Sequence, residues 1–283
     1  MPKTIVTHIH PDLDAIMSCW LFVRFDQPRY GDARLVFLPA GETYKGEMVD
    51  SDNEVVHVDT GRGVFDHHQP GVKDTCATKL VFEHLVNSGL IEEDDEPLKQ
   101  MVDFAMEIDY FQDLYWSEND HPRYAFMLHE VIPALHSLQV HDNEAVTRMV
   151  FVYLDAVYQK LKEREKGKEI IGESKEFESA WGKGIAITGE VDDLAKLAQR
   201  MGYQIVVIYN PKKKYMKVKT APRVTLELKP LYDKIAGIDG PEMWFYHNSG
   251  HIMLTGSDKG APKAPTTLTI EKMLEVIQSI KGK

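Results

Sequence analysis

The chain has 283 residues, with 33 Lys+Arg against 44 Asp+Glu for a net charge of −11, and it is 43% hydrophobic and 27% charged. These values describe one large domain or two moderate ones with a core, and they exclude global disorder. The longest apolar run, around 15–23 and interrupted by Ser18, is too short to cross a bilayer, and two cysteines, Cys19 and Cys76, build neither a disulfide scaffold nor a Cys-rich zinc site.

The opening Met1-Pro2-Lys3-Thr4 runs into a strand-like segment with no signal-peptide pattern, so a cytoplasmic protein in a reducing compartment is expected. The charge is unevenly divided. Residues 1–180 carry 17 basic and 34 acidic side chains, a balance of −17, whereas 181–283 carry 16 and 10, a balance of +6. The acidic part disfavours long duplex DNA, and the basic part still admits a small anion. Two solvated surfaces of opposite sign would give the same split.

In chain order, 3–10 (KTIVTHIH) reads as a buried strand running into a loop, and 14–25 as a helix spaced by Ala15, Met17, Trp20, Leu21 and Phe25. Strands are expected at 34–39 and 54–59, then a turn at Thr60-Gly61-Arg62-Gly63 and an extended Val64-Phe65-Asp66. Strands alternating with helices predict an α/β unit with a mainly parallel sheet. The pattern is helical from 78 to about 166, with breaks at Asn87-Ser88-Gly89 and Ser117-Glu118-Asn119-Asp120. Residues 160–175 (KLKEREKGKEIIGESK) are highly charged with two glycines, so a linker is expected over 161–175, between domains at 1–160 and 176–283. The second domain reads as strand 184–188, helix 191–201, strands 203–209 and 215–220 joined through Asn210-Pro211-Lys212, helix 231–236, strands 243–247 and 251–255, and helix 267–280.

Four stretches of the first domain concentrate His and Asp: His8-Ile9-His10-Pro11-Asp12-Leu13-Asp14 after the first strand, Asp59 ending VVHVD, Asp66-His67-His68, and Asp109 within MEIDYFQD. The first three fall at predicted carboxyl ends of strands, where open α/β sheets bind ligands. Any one of these residues alone is ordinary cap or turn chemistry, and Pro11 stiffens its loop; three such clusters at successive strand ends are not explained that way. Imidazole and carboxylate without thiolate suit Mn²⁺, with Mg²⁺, Fe²⁺ or Co²⁺ as alternatives, rather than structural zinc. Six or more candidate ligands exceed the needs of one ion, and two ions sharing a carboxylate would use them.

The combination HxxPDxDA, then an Asp ending a strand, then DHH, resembles the DHH phosphoesterase superfamily, which includes RecJ-type exonucleases, oligoribonucleases, cyclic-dinucleotide phosphodiesterases and family II pyrophosphatases. The compact VDTGRGVFDHHQPG resembles the Myg-type exonuclease branch. The resemblance implies an α/β fold with an N-terminal DHH-type parallel-sheet domain and a smaller C-terminal α/β domain. It implies two divalent ions, with His8 and Asp12 on one, Asp14, His67 and Asp109 on the other, and Asp59 bridging. Asp66 would orient the DHH segment, His68 would face substrate phosphate, and His10 would sit at a variable position. Asp103 and Asp113 remain alternatives to Asp109.

In the second domain, Asn248-Ser249-Gly250-His251 stands where the family carries a GGGH loop for the substrate's phosphate or nucleotide, so Asn248, Gly250 and His251 would bind substrate. A hairpin turn is the plain alternative. Arg223, whose fork matches a phosphate, is the leading anion-binding residue, with Lys217 and Lys219 nearby and Lys212-Lys213-Lys214 read as a solvated hairpin tip. The expected function is metal-dependent hydrolysis of phosphodiesters or phosphomonoesters in small nucleotides or short single-stranded oligonucleotides. A pyrophosphatase and a metal-binding nucleotide sensor without turnover are the alternatives. Neither a membrane nor long duplex DNA is an expected partner, and the oligomeric state is left open.

Overall fold

The computed structural model describes residues 3–138, 142–189, 194–256 and 266–281. The chain divides into two compact units, Met1–Leu161 and Lys162–Lys283. Among the described residues no helix is long and apolar enough to cross a membrane.

The β-branched run TIVTH forms β1 (Thr4–His8), followed by the helices α1 (Leu13–Phe25) and α2 (Gln27–Tyr30), then β2 (Arg34–Leu38) and β3 (Val55–His57). Both neighbours pair with β1 in parallel, in the order β2-β1-β3. A central parallel strand is covered on both faces, which is why Ile5 and Val6 are fully buried without alternation. Helix α1 supplies the crossover that a parallel pair requires, and it is buried without interruption from Leu13 to Phe22. Trp20 and Phe22 anchor the core there, against Val81 and Leu85 of α3 (Ala77–Asn87) and Leu98, Met101 and Val102 of α4 (Glu96–Asp109). The unit continues through α5 (Leu128–Ser137) into α6 (Asn143–Gly172). Residues 161–172, inside the charged stretch read as a linker, form the last turns of α6. Their Glu, Lys and Arg are good helix formers, so high charge there is compatible with a solvated helix face.

The second unit holds a six-stranded sheet in the order β4-β5-β6-β7-β9-β8. Its strands are β4 (Lys175–Ser179), β5 (Gly182–Thr188), β6 (Ile205–Asn210), β7 (Tyr215–Thr220), β8 (Phe245–Tyr246) and β9 (Ile252–Leu254), with helices α7 (Leu194–Arg200), α8 (Lys229–Asp239) and α9 (Ile270–Gln278). Only β5 and β6 pair in parallel; the other pairings are antiparallel. The apolar run of β6 serves two cores by strict alternation. Ile205 and Val207 join α8 and α9, while Val206 and Ile208 join α7. The expected helix over 191–201 is described from Leu194 onward, and 191–193 lie outside the described residues. The α/β class expected from the sequence is therefore observed as one parallel three-stranded sheet and one mixed sheet.

Candidate metal centre

The site is built where β1 and β3 end. His8 closes β1, and four residues on Asp12 caps α1, its side chain accepting from the Ala15 N–H at 3.1 Å. Asp14, in the first turn of α1, is buried, and its two carboxylate oxygens accept from the Ala77 and Thr78 N–H groups at 2.8 Å each. It therefore ties α1 to the start of α3. A carboxylate has about four acceptor positions, so Asp14 retains capacity for a further partner.

Asp59 follows β3 in the left-handed region, with φ of 52°. Aspartate tolerates that conformation better than most residues, at a cost of roughly 1–2 kcal/mol. The chain leaves through the turn at Thr60-Gly61-Arg62-Gly63 and returns so that Phe65 pairs with Val58 and the Phe65 carbonyl accepts from the Asp59 N–H at 2.9 Å. Buried Asp66 locks the excursion. Its carboxylate accepts from Arg62 N–H at 2.7 Å, from His68 N–H at 3.0 Å, and lies 2.9 Å from His68 Nδ1. That holds Asp59, His67 and His68 in one place.

His8 Nε2 lies 3.2 Å from Asp59 Oδ2. His67 Nε2 lies 3.4 Å from Asp59 Oδ1 and 3.8 Å from Asp14 Oδ2, and its other nitrogen, Nδ1, is 3.7 Å from Asp109 Oδ2. His68 Nδ1 is 3.5 Å from Asp59 Oδ1, and its side chain is 62% exposed. Ligand atoms within 4.8 Å of one another form three overlapping groups: His8, Asp12 and Asp59; Asp14, His67 and Asp109; Asp59, His67 and His68. Of the three aspartates around the fourth motif, Asp109, the last residue of α4, is the one facing His67. Asp103 lines a different cavity with Asp74 and Glu107, and Asp113 groups with His129 and Glu130.

The charges are strongly coupled. Burial and the neighbouring Asp59 push Asp14 up to about 7, and they also raise Asp12. Burial, together with Asp59 and Asp12, pushes Asp109 up to about 6 although His67 pulls the other way. Burial acts to raise Asp59 as well, but the imidazoles of His67 and His8 hold it below the usual carboxylate range. His67, beside Asp59, rises to about 9, and His8 reaches about 9 because Asp59 outweighs its burial. The cavity of about 280 Å³ lined by Asp12, Asp14 and Asp109 has no Lys or Arg in its wall.

This donor set fits a divalent cation. Asp59 Oδ1 and His67 Nε2 are buried, face each other, and make no hydrogen bond. Their charges attract across 3.4 Å, but neither atom has a hydrogen bond, and a cation beside them would satisfy both. All the donors are nitrogen or oxygen. Burial raises the thiols of Cys19 and Cys76, which keeps them protonated and outside the ligand set.

In the second unit, residues 247–251 form the turn between β8 and β9, with Gly250 at φ 74°. The N–H groups of Ser249, Gly250 and His251 bond within the turn, to His247 Nδ1, the His247 carbonyl and Ser249 Oγ. The backbone cradle that small residues suggested is therefore turned inward, and an anion at this loop would meet side chains. His251 Nδ1 lies 2.8 Å from Thr220 Oγ1, and Asn248 is exposed. Arg223 is exposed in the turn three residues beyond Thr220, and Lys217 is buried. Asp113, the alternative to Asp109 at the end of MEIDYFQD, groups instead with His129 and Glu130, which were not among the expected site residues.

No family model matches this chain, and neither does any curated protein sequence. Among solved structures, exonuclease RecJ bound to manganese is similar with a TM-score of 0.31 and 10% identity, over 98% of this chain and 89% of that chain. That likeness is too slight to carry a function from one chain to the other.

Proposed function

We propose that the chain is a metal-dependent phosphoesterase of the DHH type, hydrolysing small nucleotides or short single-stranded oligonucleotides. The observation that carries this reading is Asp59: a buried carboxylate with one oxygen on His8, the other unbonded and facing His67, among Asp12, Asp14 and Asp109. The DHH-type motifs in the sequence supply the reaction class.

In this reading His8 and Asp12 hold one ion, Asp14, His67 and Asp109 hold the second, and Asp59 serves both. Mn²⁺ suits the donors best, with Mg²⁺ or Co²⁺ as substitutes. When bound, two such ions lower the pKa of a shared water and stabilise charge on phosphoryl oxygens. The protein's part is positioning. The Asp66 carboxylate accepts a hydrogen bond from His68 Nδ1, which fixes the ring so that its Nε2 edge would face a substrate phosphate. Arg223, Asn248 and His251, with Gly250 shaping the turn, would hold the non-reacting end of the substrate.

The test is hydrolysis of bis-p-nitrophenyl phosphate, pyrophosphate and short oligonucleotides by chelator-stripped protein resupplied with Mn²⁺. Turnover of the phosphodiesters that is lost in Asp59→Asn is expected. Preference for pyrophosphate would show a pyrophosphatase, and bound Mn²⁺ with no turnover of any substrate would show a sensor; either result overturns the proposal.

A further inference from the structure

A second constellation lines the same cavity as Asp12, Asp14 and Asp109. Asp113, in the turn after α4, and His129 and Glu130, in the first turn of α5, bring one ligand atom each to within 4.8 Å of one another. The His129 side chain is 7% exposed and wedged edge-on against Phe104 and Trp116. Its Nδ1 is buried without a hydrogen bond, and its Nε2 stands 4.0 Å from Glu130 Oε1, beyond hydrogen-bond reach. The Asp113 carboxylate has neither an ion pair nor a hydrogen bond among the described residues, although it lines the cavity beside Asp12, Asp14 and Asp109.

Three ligating side chains thus converge without satisfying one another. A buried imidazole nitrogen without a hydrogen bond is destabilising, and no Lys or Arg is among the residues lining the cavity beside these carboxylates. An anion is excluded from that wall by charge. We infer that Asp113, His129 and Glu130 bind a further divalent first-row cation, Mn²⁺ or Zn²⁺, distinct from the two assigned to Asp59. Metal–nitrogen and metal–oxygen bonds of about 2.0–2.2 Å place the ligand atoms of a tetrahedral ion about 3.4 Å apart, so the carboxylates draw in on binding. Exposed Glu130 can turn to do so. One nitrogen and two carboxylates leave positions open to water or to a substrate oxygen.

The inference does not depend on turnover. The test is the number of Mn²⁺ ions held by the full chain after chelator stripping, reloading and gel filtration, counted by elemental analysis and repeated with Zn²⁺. Wild type is expected to hold three ions and Asp113→Asn/Glu130→Gln two. These substitutions keep side-chain shape and spare the buried imidazole; His129→Gln should lose the same ion. Asp59→Asn should retain the ion at His129 while losing at least one other. Equal counts in wild type and the double variant with both metals would overturn the inference. If the double variant loses an ion but Asp59→Asn loses none, this site stands and the two-metal reading of Asp59 falls; the reverse pattern rejects this site alone.

Discussion

At the scale of single residues, the site is a concentration of charge that the metal-free protein tolerates only by holding protons. His8 and His67 stay protonated to about 9 against an ordinary 6.5, and Asp14 and Asp109 to about 7 and about 6 against 3.8. In each window the folded chain binds more protons than the unfolded one, so stability falls as pH rises. The histidine contribution is complete below 6.5 and lost as pH climbs through about 9. Asp59, held low, acts oppositely, and its contribution is lost as pH falls below the ordinary carboxylate range. With chelator present, the melting temperature should therefore decline from about pH 6 to about pH 9. Mn²⁺, which competes with those protons, should raise it more at the alkaline end. A melting temperature that is flat in chelator would contradict the coupling. Asp109 faces His67 from the side opposite Asp59, so it can also fix the ring through Nδ1. Asp109→Asn should weaken Mn²⁺ binding by roughly 10- to 100-fold, as loss of an outer partner of a ligating histidine does, and Asp59→Asn should weaken it more. Titration calorimetry on both variants would show the order.

At the scale of elements, the excursion from Asp59 to Asp66 has little slack at Gly63. A Cβ on Gly63 would lie 2.6 Å from Val49 Cγ2 and 2.7 Å from Asp50 Oδ2, and that Asp50 oxygen already accepts from the Val64 N–H at 2.9 Å. Gly63→Ala should cost about 1–3 kcal/mol by overpacking and weaken Mn²⁺ binding by displacing Asp59 and His67. Urea unfolding and metal titration would show this, and an unchanged midpoint with unchanged affinity would refute it. The strands that frame the site were legible because β1 is a short β-branched run ending in His8, and its parallel neighbours are similarly apolar. Edge strand β4 was not legible, because only Phe177 in it is buried and its charged residues give no alternation. The tie between Asp14 and the start of α3 spans 63 and 64 residues and leaves no local signal. His129 and Glu130, and their closeness to Asp113, were missed for the same reason, since closeness between a turn and a later helix start is purely tertiary.

At the scale of the molecule, charge sets what can approach. The −17 of residues 1–180 repels polyanions, and two divalent ions would offset only roughly +4 of it. Under the proposed function, the +6 of residues 181–283 would favour a short anion over a long one. Initial rates on single strands from two to about twenty nucleotides, at fixed salt and Mn²⁺, should fall steeply with length. Rates that hold or rise with length would indicate a processive nuclease. His251→Ala and Arg223→Ala should raise KM more than they lower kcat, because both side chains are assigned to the non-reacting end. Equal losses in kcat and kcat/KM would place them on the reacting phosphate instead.

The central claim is that Asp59 joins two cations, and anomalous scattering from a crystal soaked in Mn²⁺ tests it most directly. Besides the ion inferred at His129, the account predicts two manganese peaks about 3.5–4 Å apart, one on His8 and Asp12 and the other on Asp14 and His67, with an Asp59 oxygen bonded to each. Saturating Mn²⁺ with no peak at Asp59, or with a single ion that leaves either set of ligands bare, would contradict it.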